Sequence, residues 1–174
     1  IWNDFCDWYI EIAKTRFYSE DIDSKMMTYN ICISSIRKTV ALLHPYTPFI
    51  TEELWSFFKD KNSSDLIISE WPKENKDLID EEVINTMGEL KDIISSVRAI
   101  RSRMNIPPSK KISLYIKCDE AQVDFIDQNS KLIMSLAKLE SYSVGSSIEK
   151  PTQSAAAVVH GMELYIPLEG LVDL

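Results

Sequence analysis

A mainly α-helical fold, four helices followed by a small α/β unit, is what this sequence predicts, on three observations. Apolar residues recur at helical spacing through residues 1–104. Beyond Pro107-Pro108 the period falls from 3.6 to 2. Prolines or polar runs mark each change of element.

The first helix is expected over roughly residues 1–18. At 100° per residue Trp2, Phe5, Cys6, Tyr9, Ile12, Ala13 and Phe17 form one stripe, with Asn3, Asp4, Asp7, Glu11 and Lys14 opposite. Arg16 interrupts the stripe. A polar break follows, in which Ser24 can cap the next helix. That helix, about 25–43, carries Met26, Tyr29, Ile33, Ile36, Val40 and Leu43 on one side and Met27, Ile31 and Leu42 on another, a pattern for burial on two faces. His44-Pro45 ends it, because a residue before proline is pushed out of the α region. Thr47-Pro48 opens the third helix, with Thr47 as N-cap and Pro48 in the first turn. Glu52 and Glu53 are expected near its positive end, and Ile50, Leu54, Phe57 and Phe58 in the core.

Residues 60–78 read as a polar connection in which Leu66-Ile67-Ile68 forms an extended segment pinned to the helices. The fourth helix is expected at about 80–104, on a stripe of Val83, Met87, Leu90, Ile94, Val97, Arg101 and Met104, and Pro107-Pro108 stops it. Next comes a half-buried strand, Ile112, Leu114, Ile116 and Cys118 alternating with Ser113, Tyr115 and Lys117. Short helices near 120–128 and 130–138, a strand near 141–144, and a hairpin of 155–159 and 162–166 turned at His160-Gly161 complete a β-α-α-β-β-β order. The expected domains are 1–106, the helical bundle, and 107–174, the α/β unit.

Composition is that of an ordinary globular protein, 45% hydrophobic and 26% charged over 174 residues. No apolar run approaches the roughly 20 residues that span a bilayer. Ile1 opens inside a helical pattern and the C-terminus stops as abruptly, which predicts a fragment of a longer chain. The three cysteines, Cys6, Cys32 and Cys118, are far apart and have no metal spacing. They are expected as free buried thiols in a reducing cytosol. The net charge of −8 is unevenly spread. Residues 60–92 hold ten acids and four lysines, whereas 99–117 hold five basic residues and no acid.

Leu43-His44-Pro45-Tyr46-Thr47-Pro48-Phe49-Ile50-Thr51-Glu52-Glu53-Leu54-Trp55 resembles a landmark shared by the class I synthetases for valine, isoleucine and leucine. Asp7-Trp8-Tyr9-Ile10-Glu11, Glu70-Trp71-Pro72, the segment from Arg98 to Lys111 and Gly170-Leu171-Val172-Asp173 stand in the order in which the valyl-tRNA synthetases have them. The chain is similar to their anticodon-binding region over nearly its whole length. That resemblance implies a bundle gripping the anticodon arm of valine tRNA, and an α/β unit leading to a coiled-coil arm that is absent. The two ATP-binding signatures of the family and its editing domain are absent too. No catalytic residue, metal or cofactor is therefore expected here; ATP and Mg²⁺ would serve the parent enzyme's catalytic domain. The expected partners are tRNA and the rest of the synthetase chain, in the cytoplasm, with neither membrane nor DNA.

The candidate tRNA contacts are Lys14, Arg16, Arg37, Arg98, Arg101, Arg103, Lys110 and Lys111. Cations supply affinity for phosphates, and an arginine fork can also bond a base edge. Arg16 and Arg101 each interrupt an apolar stripe near a helix C-terminus, so each must be paired, bond terminal carbonyls or reach out toward RNA. Lys110 and Lys111 lie on a loop stiffened by two prolines, which displays their charge. Tyr9, Phe17, Phe57 and Phe58 read as core, Trp8 as the edge of its stripe and Tyr46 as a turn residue, both expected to pack. The alternatives are the equivalent region of an isoleucyl or leucyl enzyme, or a helical protein-interaction scaffold, which the net acidity favours.

Overall fold

The computed structural model describes residues 2–59 and 64–171. They form two compact units, one ending at Ile79 and one starting at Asp80.

The first unit begins with π-helix over Trp2–Tyr9, continuing as α1 (Ile10–Phe17). The sequence pattern predicts one regular α-helix here. The wider π winding shifts each successive side chain, so Trp2 is exposed, and the Phe5 and Tyr9 rings stack with centroids 5.7 Å apart. Next, α2 spans Ile22–Leu43. Its cap is Asp21, whose carboxylate accepts the Ser24 N–H, and Ser24 itself lies inside the helix. Asp21 outcompetes Ser24 because an aspartate there also carries negative charge at the positive helix end.

Burial in this unit is thinner than the pattern predicts. Thr28, Val40 and Ala41 are the buried residues of α2, while Met26, Met27, Tyr29, Ile31, Leu42 and Leu43 are exposed. In α3 (Pro48–Ser56), Ile50 and Leu54 are exposed, as are Phe17 and Phe57; Phe58 is half-buried. The physical reason is size. The buried core is Val40, Ala41 and Leu66, flanked by Ile36 and Trp55, and so small a unit covers little of its apolar surface.

The polar side chains of α3 explain its sequence better than the apolar ones. Trp55 Nε1 donates to the Ser64 carbonyl at 3.1 Å, Lys59 pairs with Asp65 at 2.7 Å, and the Leu66 N–H donates to Glu52 Oε1 at 3.0 Å. These bonds dock a 3-10 turn, Leu66–Ile68, where an extended segment is expected. Glu52 therefore anchors a connection, and neither glutamate lies in the first turn of α3. Thr47 stands at the N-cap position but makes no side-chain cap; its hydroxyl donates to the Leu43 carbonyl.

Thr51, 2% exposed, ties the two helices together. Its hydroxyl donates to the Thr47 carbonyl at 2.7 Å, so His44 Nδ1–H, 2.8 Å away, must be the donor to Thr51. Thr51→Val keeps the shape and removes both bonds. It is expected to destabilise the first unit by about 1–3 kcal/mol, read as a lower urea midpoint; an unchanged midpoint would contradict the pairing.

The second unit opens with α4 (Glu81–Arg103), capped by Asp80, whose carboxylate accepts the Glu82 and Val83 N–H groups. The helix ends with Asn105 in the left-handed region at φ 52 and the Ile106 N–H on the Arg101 carbonyl. This six-to-one closure stops the helix before the prolines are reached. The elements β1 (Ile112–Lys117), α5 (Glu120–Gln128), α6 (Ser130–Ala137), β2 (Leu139–Gly145), β3 (Ser154–Val159) and β4 (Met162–Pro167) follow in the expected order. The strands form one mixed sheet, β2-β1-β4-β3, with β1 and β2 parallel and the other pairs antiparallel. His160 and Gly161 both take positive φ, as a two-residue hairpin turn requires.

Leu90, Ile93, Val97 and Ile100 of α4 pack in one cluster with Ile112, Leu114 and Ile116 of β1, Leu164 and Ile166 of β4, Ile126 and Ile133. The pattern groups α4 with the preceding helices. Its buried face belongs to the sheet's core, and the compact units divide at 79/80. Val83 and Ile84, at its start, are exposed. Cys118 is buried, which pushes its thiol above its ordinary pKa, whereas Cys6 and Cys32 are only half-buried; all three are free.

Candidate nucleic-acid interface

Two arginines on α4 stand side by side at a concave basic site of the second unit. Arg98 and Arg101 are three residues apart and so share a face of the helix. That face meets the C-terminal end of α6, where the last carbonyls lack helical partners and carry partial negative charge. Arg98 Nε and Nη2 donate to the Leu136 carbonyl at 3.2 and 3.0 Å. Arg101 Nη1 donates to Ala137 and Lys138 at 3.4 and 3.3 Å, and Nη2 to Pro107 and Lys110 at 2.8 and 2.6 Å.

Arg101 is 6% exposed, and burial lowers its pKa from the usual arginine value. Among the structural roles expected of it, bonding terminal carbonyls is the observed one; those carbonyls belong to α6 and the proline loop, not to its own helix. Its terminal N–H groups already have acceptors within the fold, so RNA has little to gain from it directly.

Above these arginines lies a cavity of about 580 Å³. Its polar lining adds Ser102, Asn105 and Lys138, and Ile106, Pro107 and Pro108 supply an apolar wall; none of the described residues that line it is an acid. A neighbouring depression of about 310 Å³ is lined by Lys111 and again by Lys138. The other candidates are placed differently. Lys110 Nζ donates to the Gly170 carbonyl, while Lys111 and Arg103 are exposed. In the first unit Lys14 pairs with Glu11, Arg16 is exposed, and the Arg37 guanidinium sits 5.3 Å from the Trp55 ring centre, a cation–π contact. The structure thus brings Arg98 and Arg101 together at one pocket and holds Arg37 in a stack of its own.

A family model described as the anticodon-binding domain of tRNA ligase matches residues 1–116. The chain belongs to this anticodon-binding domain family. Its curated relatives sharpen the match: it is 41% identical, over its whole length, to a valine–tRNA ligase of Listeria monocytogenes, and 39% identical to those of Halalkalibacterium halodurans and Bacillus cereus. In each case it spans 20% of the relative's length.

For this anticodon-binding domain the landmark residues divide into scaffold and site. Thr51, Glu52 and Trp55 join α3 to its neighbours, and Arg101 joins α4 to α6. Val172 and Asp173, which end the C-terminal landmark, lie outside the described residues. Tyr46 is exposed and Trp8 half-buried. Sequence reasoning missed Lys138, Asn105 and Ser102. Lys138 carries a readable signal, a lone cation at the end of an apolar helix, although only the fold brings it beside Arg98. Among the described residues no group of three or more His, Cys, Asp or Glu is placed to hold a metal ion, and no helix is long and apolar enough to cross a membrane.

Proposed function

We propose that this chain is the tRNA-holding module of a valine–tRNA ligase. It grips the anticodon arm of valine tRNA while aminoacylation proceeds on another domain of the parent protein, where ATP, Mg²⁺ and valine bind. Its working partners are that tRNA and the rest of the ligase chain, in the cytoplasm. The observation that carries the reading is local charge: in a chain of net charge −8, Arg98, Arg101 and Lys138 line one pocket, beside Lys111, with no acid among the described residues that line it. Such convergence is the electrostatic footprint of a phosphate backbone. Family membership and the valine–tRNA ligase relatives support the same reading.

In this reading Lys110, Lys111, Lys138 and Arg103 meet phosphates, with Arg98 adding charge at the pocket. Lys14, Arg16 and Arg37 extend the contact on the first unit, and Arg101 holds the pocket's walls in place. Replacing Lys110 and Lys111 together by alanine is expected to weaken tRNA binding about tenfold, alike for every tRNA sequence. The slope of log affinity against log salt should flatten by roughly 1.5, because two phosphate contacts are lost. A gel-shift titration measures both quantities. Unchanged affinity and slope would remove the loop from the interface.

A further inference from the structure

A cavity of about 550 Å³ lies within the first unit, between α3 and the turn that α3 docks. Its charge is opposite to that of the arginine pocket. Among the described residues that line it, three carboxylates, Glu52, Glu53 and Asp65, stand against one ammonium, Lys59. Lys59 Nζ is committed to Asp65 Oδ1 at 2.7 Å, which leaves the two glutamates in excess. Glu52 is divided in its bonding. Its Oε1 accepts the Leu66 N–H at 3.0 Å, whereas its Oε2 is buried and has no hydrogen-bond partner among the described residues. A buried carboxylate oxygen without a donor bears the full cost of its lost hydration. His44 also lines the cavity, and its Nδ1–H is committed to Thr51, so in the neutral ring Nε2 is a further acceptor. The remaining wall is apolar, with Pro48, Phe49 and Ile67; Phe49 is 91% exposed. The excess of carboxylates repels phosphate, so RNA is not the occupant. No three side chains among the described residues are placed to hold a metal ion, which sets a bare cation aside.

We infer that this cavity binds a guanidinium group, carried by an arginine side chain or by a small guanidine. The guanidinium is planar, bears five N–H donors and is more weakly hydrated than an ammonium, which suits a site that is part carboxylate and part aromatic. One N–H donates to Glu52 Oε2 and supplies the partner that the fold leaves out. Glu53 adds attraction, and the plane of the group lies against the Phe49 ring as a cation–π contact. The same pairing already occurs elsewhere in this unit, where Arg37 sits over Trp55. An ammonium fits less well, because a point charge has no plane to lay on the ring. The site is independent of the tRNA-binding reading, which places its contacts on cations.

The test titrates the whole chain with four probes and follows backbone-amide NMR shifts. The probes are a blocked tripeptide with a central arginine, the same peptide with citrulline or with lysine in its place, and agmatine. Citrulline keeps the shape of arginine and lacks its charge. The expected result is saturable binding of the arginine peptide, with shifts centred on His44, Glu52 and Asp65. The citrulline peptide should bind about tenfold more weakly, and the lysine peptide more weakly than arginine. Glu52→Gln keeps an oxygen for the Leu66 N–H and turns a donor toward the cavity in place of Oε2, so affinity for the arginine peptide should fall about tenfold. Phe49→Ala, at an exposed position, should fold as the parent chain does and lose about threefold; it carries the test if Glu52→Gln fails to fold. Tighter binding of the peptide than of agmatine assigns the group to an arginine of a polypeptide, and the reverse order to a small guanidine; either order supports the site. Absence of saturable binding by both guanidinium probes would overturn the inference. So would equal affinity for the citrulline peptide, which marks a merely apolar groove, equal affinity for the lysine peptide, which marks a site for any cation, or full affinity in either folded variant. None of these outcomes bears on tRNA binding, which the gel-shift titration measures separately.

Discussion

Arg101→Leu is expected to cost the second unit about 3–5 kcal/mol, a large part of the 5–15 kcal/mol that holds a typical domain folded. The guanidinium donates to four carbonyls, Ala137, Lys138, Pro107 and Lys110, which lie on two separate pieces of chain. Leucine fills part of the volume and leaves those acceptors without their donor. Three of them sit in part-buried surroundings and one in a buried one, where water replaces the lost bonds poorly. Arg101→Lys should restore little, because a single ammonium cannot span both chain segments as the planar fork does. Arg98→Ala, at an exposed residue whose described bonds go to the Leu136 carbonyl, should cost less than Arg101→Leu. Urea unfolding followed by far-ultraviolet circular dichroism separates these outcomes. A stable, fully folded Arg101→Leu chain would show that the arginine is not the clasp between α4 and α6.

Leu164→Ala should destabilise the second unit by about 2–5 kcal/mol. Leu164 lies on β4, one of the two central strands, with Ile116 and Ala157 as its register partners, and it is 0% exposed. Its removal opens a cavity where α4 packs over the sheet. Phe57→Ala removes a larger side chain, yet Phe57 is 74% exposed, so a change within about 0.5 kcal/mol is expected. The sequence alone places Phe57 in the core and so predicts a large loss for Phe57→Ala. Thermal melts of both variants therefore test the observed distribution of burial. A larger loss for Phe57→Ala would contradict it.

That difference shows what periodicity reveals and what it conceals. The switch of period at the prolines and the order of the last six elements could be read directly, because each alternation is short and bounded by a turn. Helix ends with a chemical stop were also legible, Asp80 and His44-Pro45 among them. What periodicity cannot say is which neighbour an apolar stripe meets. Leu90, Ile93, Val97 and Ile100 are amphipathic whether they join a bundle or a sheet, so the grouping of α4 was hidden. The π winding of Trp2–Tyr9 was hidden as well, since a 100° step was assumed. At the site, Arg101 stood out because a charge in an apolar stripe must have acceptors. Lys138 did not, because its closeness to Arg98 comes from α6 ending against α4.

The scaffold account also changes the weight of the landmarks. Thr51, Glu52 and Trp55 are internal fasteners, so their presence identifies the family without marking an RNA contact. The basic, acid-free stretch from residue 99 to 117, joined in space by Arg98 and Lys138, is where the interaction is expected.

The most direct test of that claim is a gel-shift of this chain against valine tRNA and against the same tRNA with an altered anticodon, at low and at physiological salt. Binding that weakens with the altered anticodon and falls steeply as salt rises is the result the proposal predicts, the first because base contacts carry sequence preference and the second because phosphate contacts release counterions. Binding indifferent to both the anticodon and the salt would contradict it.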